Sequence, residues 1–342
     1  MGTRSIHSRG RTFAAASLVA LCGALVLAAC GGSGATVAST PPATPGEAAV
    51  APSPSPSWSP TVTPAPIPVV SPGDELPSFS TLTKMFAYDS SEPLDYKELT
   101  NLDQTVDGVR FRCVTIQTGG ELVPGFLALP QGAGPFPVVV YAPGSNTEAM
   151  MWSSVAAGLA KKGYAGLLLE ESGGPFWTYD GMADGQAFVR YTVDARRVMD
   201  LLATMPEIDM TRAGFVAWSN GCRLGSFLSG VDDRFKVFVF DGLNNQDVTT
   251  WTAAEKRDLK ARGVDLEAYA AQQSIFDPAL YFSRNKDARF LFLWGDEEIT
   301  PVVRQWYQAA APRSSAVHLF PGGHGAPPAA QKYLTAWVEK NL

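Results

Sequence analysis

The sequence predicts an α/β fold: a mostly parallel central sheet flanked by helices, entered through an N-terminal antiparallel hairpin. Two patterns predict it. From about Pro77 onward, short β-rich apolar runs alternate with segments of helical periodicity. The runs are apolar throughout rather than on every second residue, which fits strands buried on both faces. A hydrophobic content of 46% over 342 residues supplies material for a large core.

The elements follow in order. RFRCVTIQT and LVPGFLALP are separated by Gly119-Gly120, which predicts the hairpin. FPVVVYAPG is a strand, and residues 148–162 are helical. YAGLLLEES is a strand, and residues 186–205 are helical. AGFVAWS is the fifth strand, followed by a short helix from Asn220. FKVFVFDG, ARFLFLWGD and AVHLFPG are three further strands, and residues 327–341 close as a helix. Sheets of this kind bind ligands at the C-terminal ends of their strands.

The first 76 residues differ in kind. Arg4, Arg9 and Arg11 precede an apolar stretch, Phe13 to Ala29, so residues 1–29 read as a signal peptide. Leu27-Ala28-Ala29-Cys30 resembles a bacterial lipobox. That implies cleavage before Cys30, lipidation of its thiol, and a protein anchored outside the cytoplasm in the cell envelope. Residues 30–76 contain TPPATPG, APSPSPSWSP and TVTPAPIPVVSPGD, and are expected as a Pro/Ser/Thr-rich disordered tether that packs no core. Residues 77–342 are expected as one domain. Export permits a disulfide between Cys113 and Cys222, but two separately buried thiols are the favoured expectation, since one pair makes no disulfide framework.

A formal net charge of −6, with no basic run beyond the extreme N-terminus, argues against nucleic-acid binding. Without a GxGxxG or a P-loop no nucleotide cofactor is expected. His318 and His324 lack ligand spacing, so no metal is expected either.

The strand ends carry the chemistry. In Ala217-Trp218-Ser219-Asn220-Gly221, a serine follows a strand and precedes a helix, with small residues two before and two after it. That is the pattern of a nucleophile elbow, which lifts a serine oxygen above the sheet. The competing expectation is a helix cap, a common place for serine. Of three histidines, His7 leaves with the signal, and His318 lies within a strand as a packing or edge residue. His324, in PGGHGAP, follows the last strand and is the candidate general base. The acid should follow ARFLFLWG, where Asp296, Glu297 and Glu298 stand in a row. The chain order serine, acid, histidine is that of α/β-hydrolases.

From about Phe86 to the C-terminus the chain resembles the dienelactone-hydrolase-like and carboxylesterase branch of the α/β-hydrolase superfamily. LVPGFLALPQGAGPFPVVVYAPG, VDARRVMDLLATMPEIDMTRAGFVAWSNG, FLFLWGDEEITP and FPGGHG carry the resemblance. It implies a serine ester hydrolase with an acyl-enzyme intermediate, acting on a small-molecule or polymer ester. The family's acid lies three residues after the glycine that ends the penultimate strand, which is Glu298. Counting back from the downstream proline gives Glu297 instead. The rigid strand end favours Glu298, with Glu297 and Asp296 left open and Asp241, one strand earlier, as an outside candidate. The oxyanion hole would use the backbone amides of Asn220 and Ser145, the latter in Pro143-Gly144-Ser145 where most relatives have His-Gly. Two alternatives stand beside this: a peptidase or amidase on the same fold, and a non-catalytic surface-binding lipoprotein.

Aromatic residues gather near the expected strand ends: Trp152, Phe176, Trp177, Tyr179 and Trp218. Residues 243–286 carry Trp251, Tyr269, Phe276, Tyr281 and Phe282. That stretch is longer than a crossover needs, and is a candidate cap or insertion.

Overall fold

A computed structural model describes residues 62–243, 251–282 and 284–342. The signal peptide, Cys30 and most of the expected tether lie outside the described residues, as do residues 244–250 and 283 of the candidate cap.

The strands are β1 (Lys97–Glu98), β2 (Gln104–Val106), β3 (Val109–Thr118), β4 (Glu121–Ala128), β5 (Phe136–Ala142), β6 (Ala165–Leu169), β7 (Ile208–Trp218), β8 (Phe235–Asp241), β9 (Arg289–Gly295) and β10 (Ala316–Phe320). The longer helices are α1 (Ser153–Ala160), α2 (Gly181–Ala203), α3 (Asn220–Val231), α4 (Ala253–Ala261), α5 (Leu266–Gln273), α6 (Pro301–Ala310) and α7 (Pro328–Asn341). Spatial order across the sheet is β1-β3-β4-β6-β5-β7-β8-β9-β10, with β2 paired to β3. The pairs β1–β3, β2–β3, β3–β4 and β4–β6 are antiparallel, and every pair from β6 to β10 is parallel.

The expected mostly parallel sheet with its antiparallel hairpin is therefore present. The strand that ends at the candidate serine is the seventh rather than the fifth. β1 and β2 precede the hairpin and are too short to show a period in sequence.

The apolar runs divide between two faces with a period of two. In β5, Val138, Val140 and Ala142 join the core under α2, α3 and α6, while Val139 and Tyr141 join the core under α1 and α7. Cys222 belongs to the first core and Cys113 to the second; both are buried thiols and form no disulfide.

Helix boundaries depart from the periodicity where caps decide them. The segment expected as a helix over 148–162 opens as a 3₁₀ turn, Ala149–Trp152, before α1. α2 starts at Gly181 rather than 186 because the Asp180 carboxylate accepts the Met182 and Ala183 amides at 2.9 and 3.0 Å.

The expected tether also ends earlier than 76. Val70 is only 6% exposed and its N–H donates to Gln272 Oε1 at 3.0 Å. Gln272 Nε2 donates to Pro68 O at 2.9 Å, and Ala65 N–H to Lys84 O at 3.1 Å. Prolines keep this strap extended, and its Ile67 and Val70 lie on a third cluster containing Phe86, Phe188, Phe227, Phe276 and Tyr281. Packing against the domain thus includes residues 65–70.

The chain leaves β5 to form β6 on one side, then returns through α2 to form β7 on the other. The C-terminal ends of β5 and β7 therefore flank a topological switch point, where such sheets hold their ligands.

Candidate active site

Ser219 alone makes the turn between β7 and α3. Its backbone sits at φ 53°, ψ −116°, a conformation costly for any residue but glycine. Its N–H donates to Asp241 O at 2.9 Å and its C=O accepts from Cys222 N–H at 2.9 Å, which hold the strain in place. Ser219 occupies the N-cap position of α3, yet its hydroxyl makes no capping bond. The helix-cap alternative therefore does not account for this serine. Gly221 donates its N–H to Pro143 O at 3.0 Å. A Cβ there would lie 2.6 Å from that oxygen and 2.8 Å from Ala142 O, so the turn excludes a side chain at this position.

The loop after β5 runs directly against the serine. A Cβ on Gly144 would come within 2.9 Å of Ser219 Cβ. Thr147 closes the loop, donating both its N–H (3.2 Å) and its hydroxyl (2.6 Å) to Gly144 O. The next residue, Ser145, accepts at its Oγ from Trp177 Nε1 at 2.8 Å. Asn220, immediately after the nucleophile candidate, is buried and donates its side-chain amide to Glu171 Oε1 at 2.8 Å.

His324 lies beyond β10. Its Nδ1 is 2.6 Å from Glu298 Oε1. The Glu298 side chain is 4% exposed and that of His324 39%. Asp296 and Glu297 are exposed, and Asp296 Oδ1 accepts the Gly322 N–H at 2.9 Å instead. Of the three consecutive carboxylates, the one that touches the imidazole is Glu298. The hydrogen bond to Glu298 holds the His324 pKa above the ordinary histidine value, against the opposing effect of burial. The Trp218 ring, one residue before the serine, lies 5.0 Å from the imidazole, centroid to centroid. Among the described residues Ser219 Oγ and His324 are not hydrogen-bonded to each other.

Asp241 takes a different position. Its Oδ2 accepts the Ala326 N–H at 3.1 Å, and its Oδ1 has no partner among the described residues. Burial pushes its pKa up to about 7; the Ala326 amide opposes this and the nearby Glu298 charge adds to it. His318 stacks on Tyr333, with centroids 4.0 Å apart, as a strand-edge packing residue.

The aromatic residues of the candidate cap split between packing roles. Tyr269, Phe276, Tyr281 and Phe282 are buried. Tyr269 donates to Asp184 Oδ2 at 3.0 Å, joining α5 to α2, and Trp251 and Tyr179 pack on its ring. Among the described residues no group of His, Cys, Asp and Glu could hold a metal ion, and no helix is long and apolar enough to cross a membrane.

Nothing in the motif spacing singles out Glu171. Its signal in the sequence is a second carboxylate directly after an apolar strand, in LLLEE.

No family model and no curated protein matches the chain. Solved structures do. Acetyl xylan esterase 1 from Thermoanaerobacterium sp. JW/SL YS485 matches with a TM-score of 0.64 at 15% identity, over 80% of this chain and 95% of that one. This chain has the α/β-hydrolase fold. Acetyl xylan esterase from Paenibacillus sp. R4 matches at 0.60 and 18% identity, over 77% of this chain and 92% of that one. Glucuronoyl esterase from Solibacter usitatus matches at 0.57 and 14%, over 80% and 89%. At such identities the likeness is one of fold; in this chain Ser219, Glu298 and His324 follow the C-terminal ends of β7, β9 and β10.

Proposed function

We propose that this chain is a serine hydrolase of carboxylic esters. The observation that carries the proposal is the 2.6 Å contact of His324 with Glu298, in a fold whose strained strand-to-helix turn bears Ser219. In this mechanism Ser219 Oγ attacks the ester carbonyl while His324 takes the hydroxyl proton. Glu298 holds Nδ1–H and stabilises the imidazolium that forms. The backbone amides of Asn220 and Ser145 receive the developing oxyanion, helped by the N-terminus of α3. Collapse of the tetrahedral intermediate releases the alcohol with the proton from His324. Water, activated by the same histidine, then frees the acid.

The substrate class proposed is an uncharged ester of a small acyl group, free or carried on a polymer. The names of the similar structures support this, since two are acetyl xylan esterases and one a glucuronoyl esterase. Trp218 beside the serine and Trp177 on the Ser145 hydroxyl support an apolar surround for such a group.

The test is fluorophosphonate labelling of residues 62–342, with p-nitrophenyl acetate, butyrate and a matching anilide as substrates. Labelling at Ser219 with ester turnover, lost in Ser219→Ala and His324→Ala, is the expected result. Folded protein that neither labels nor hydrolyses an ester overturns the proposal, and preferential anilide cleavage would make it an amidase.

We further propose that Cys30 carries a lipid that anchors the mature protein outside the cytoplasm. The lipobox-like LAAC after an apolar stretch supports this. Metabolic labelling with an alkyne fatty acid should mark wild type and not Cys30→Ala; equal labelling of both would refute it.

A further inference from the structure

β6 ends in two carboxylates that serve different partners. Glu170 Oε2 accepts the Ala149 N–H at 3.0 Å, at the turn that leads into α1. Glu171 reaches two donors on two separate loops. Its Oε1 accepts from Asn220 Nδ2 at 2.8 Å, and its Oε2 from the backbone N–H of Asn146 at 3.2 Å. Asn220 follows Ser219 after β7. Asn146 follows Ser145 after β5. One side chain therefore grips, at the same time, both segments from which the oxyanion donors come.

Three features mark this as a built contact. Asn146 sits at φ 58°, a turn position that asparagine accepts and from which its N–H reaches Glu171 at the end of β6. Asn220 is buried, and its Oδ1 has no partner among the described residues, so the bond to Glu171 is what fixes its side chain. Glu171 itself is half-buried, and among the described residues it forms no ion pair with Lys, Arg or His. A carboxylate partly withdrawn from water and held by neutral N–H donors without a counter-charge loses solvation that these two bonds offset.

We propose that Glu171 is a positioning residue for the oxyanion hole, fixing the Ser145 and Asn220 amides relative to each other. The proposal rests on the hydrolase assignment above. Two amides stabilise an oxyanion only when they converge on one point, and displacement of about 1 Å can cost about 100-fold in rate. The loops after β5 and β7 are also tied by Gly221 N–H to Pro143 O. That bond fixes the start of the β5 loop; Glu171 fixes the residue beyond Ser145. The negative charge of Glu171 works against the oxyanion, so its contribution is geometric.

The variants separate geometry from charge. Glu171→Ala removes both acceptors. Glu171→Gln keeps an acceptor for Asn220 but turns an N–H toward the Asn146 N–H. Each is compared with wild type for kcat and KM on p-nitrophenyl acetate. Rates are normalised to active sites counted by the endpoint of fluorophosphonate labelling, so that unfolded protein is discounted. A second readout is the inhibition constant of an aryl trifluoromethyl ketone. That probe forms a bond from Ser219 Oγ to its carbonyl carbon, passes the hydroxyl proton to His324, and leaves the former carbonyl oxygen as the oxyanion.

Glu171→Ala is expected to lower kcat about 10- to 100-fold with KM within about threefold, and to weaken the ketone by a similar factor. Glu171→Gln should fall between the two, and carries the test if the alanine variant does not fold. Normalised kcat and ketone affinity equal to wild type in Glu171→Gln and in any folded alanine variant would overturn the proposal. A loss confined to KM would overturn it as well. Wild type that does not label at Ser219 would overturn the hydrolase assignment and this proposal with it, an outcome distinct from labelling with unaltered variants.

Discussion

Glu298 and Glu171 are both carboxylates just beyond the C-terminal ends of strands around Ser219, yet they hold opposite kinds of partner. Glu298 is almost wholly buried against an imidazole that can take up a proton. Glu171 is bound to two N–H groups that never change charge. The first can stabilise a charge that appears and disappears during a reaction. The second can only hold atoms in place. The difference teaches that the chemistry of a carboxylate at this sheet is set by its partner, and that sequence alone displays the carboxylate but hides the partner.

The comparison is broken most directly at the proposed nucleophile and base. Ser219→Ala and His324→Ala are each expected to lower normalised ester turnover by about 10⁴-fold or more, with the fold intact by circular dichroism. Retained turnover in either would leave Glu298 with nothing to serve. Next in size is Glu298→Gln, expected to cost about 10²- to 10⁴-fold in kcat/KM. It also carries a signature in pH. His324 must be neutral to act as base, so activity rises with pH as it loses its proton. Its pKa is held above the ordinary histidine value chiefly by the hydrogen bond to Glu298, so the acidic limb of wild type should lie above that value. In Glu298→Gln the limb should move to lower pH. A pH–rate profile of kcat/KM that moves upward, or not at all, would remove Glu298 from the acid's role. Trp177→Phe should sharpen the comparison from the other side. It keeps an aromatic ring but loses the indole donor to Ser145 Oγ. Loss of one neutral hydrogen bond predicts a fall in kcat of about two- to tenfold, with no change in the pH limb.

How far this could be foreseen follows from the range of the interactions. The parallel sheet was legible because each strand is a local apolar run, and the Gly119-Gly120 hairpin because its turn is local as well. The elbow at Ser219 was legible for the same reason: its crowding is relieved by residues two positions away. The carboxylate that meets His324 was legible only as one of three, because Asp296, Glu297 and Glu298 share one loop and differ in how that loop folds back on β10. The Gly322 N–H takes Asp296 and the His324 ring meets Glu298. The Glu171 contacts span 25 and 49 residues and leave no local pattern. The packing of residues 65–70 was hidden too. Proline content describes how the strap resists helix and sheet, but not that Gln272, 202 residues away, supplies partners for its backbone.

The smallest effect on activity is expected at Asp241, which tests the comparison by exclusion. Asp241 lies at the end of β8, near Glu298, but its bond goes to the Ala326 amide. Its pKa is pushed up to about 7 by burial, far above the ordinary carboxylate range. A carboxyl whose folded-state pKa is raised favours the folded state when protonated. That contribution is fully present below the unfolded value near 4 and is lost as pH rises through about 7. Glu170, also pushed to about 7 by burial, acts in the same direction. The unfolding free energy of wild type should therefore carry a falling component between about pH 4 and 7. Asp241→Asn should flatten part of that fall, and Glu170→Gln added to it should flatten more, both measured by urea unfolding at a series of pH values. Turnover of Asp241→Asn at pH 8 should stay within about threefold of wild type, since a side chain of the same shape still offers an oxygen to the Ala326 N–H. If Asp241→Asn instead abolishes turnover and shifts the acidic limb downward while Glu298→Gln does neither, the acid belongs to β8. The contrast between Glu298 and Glu171 would then be one between two positioning groups.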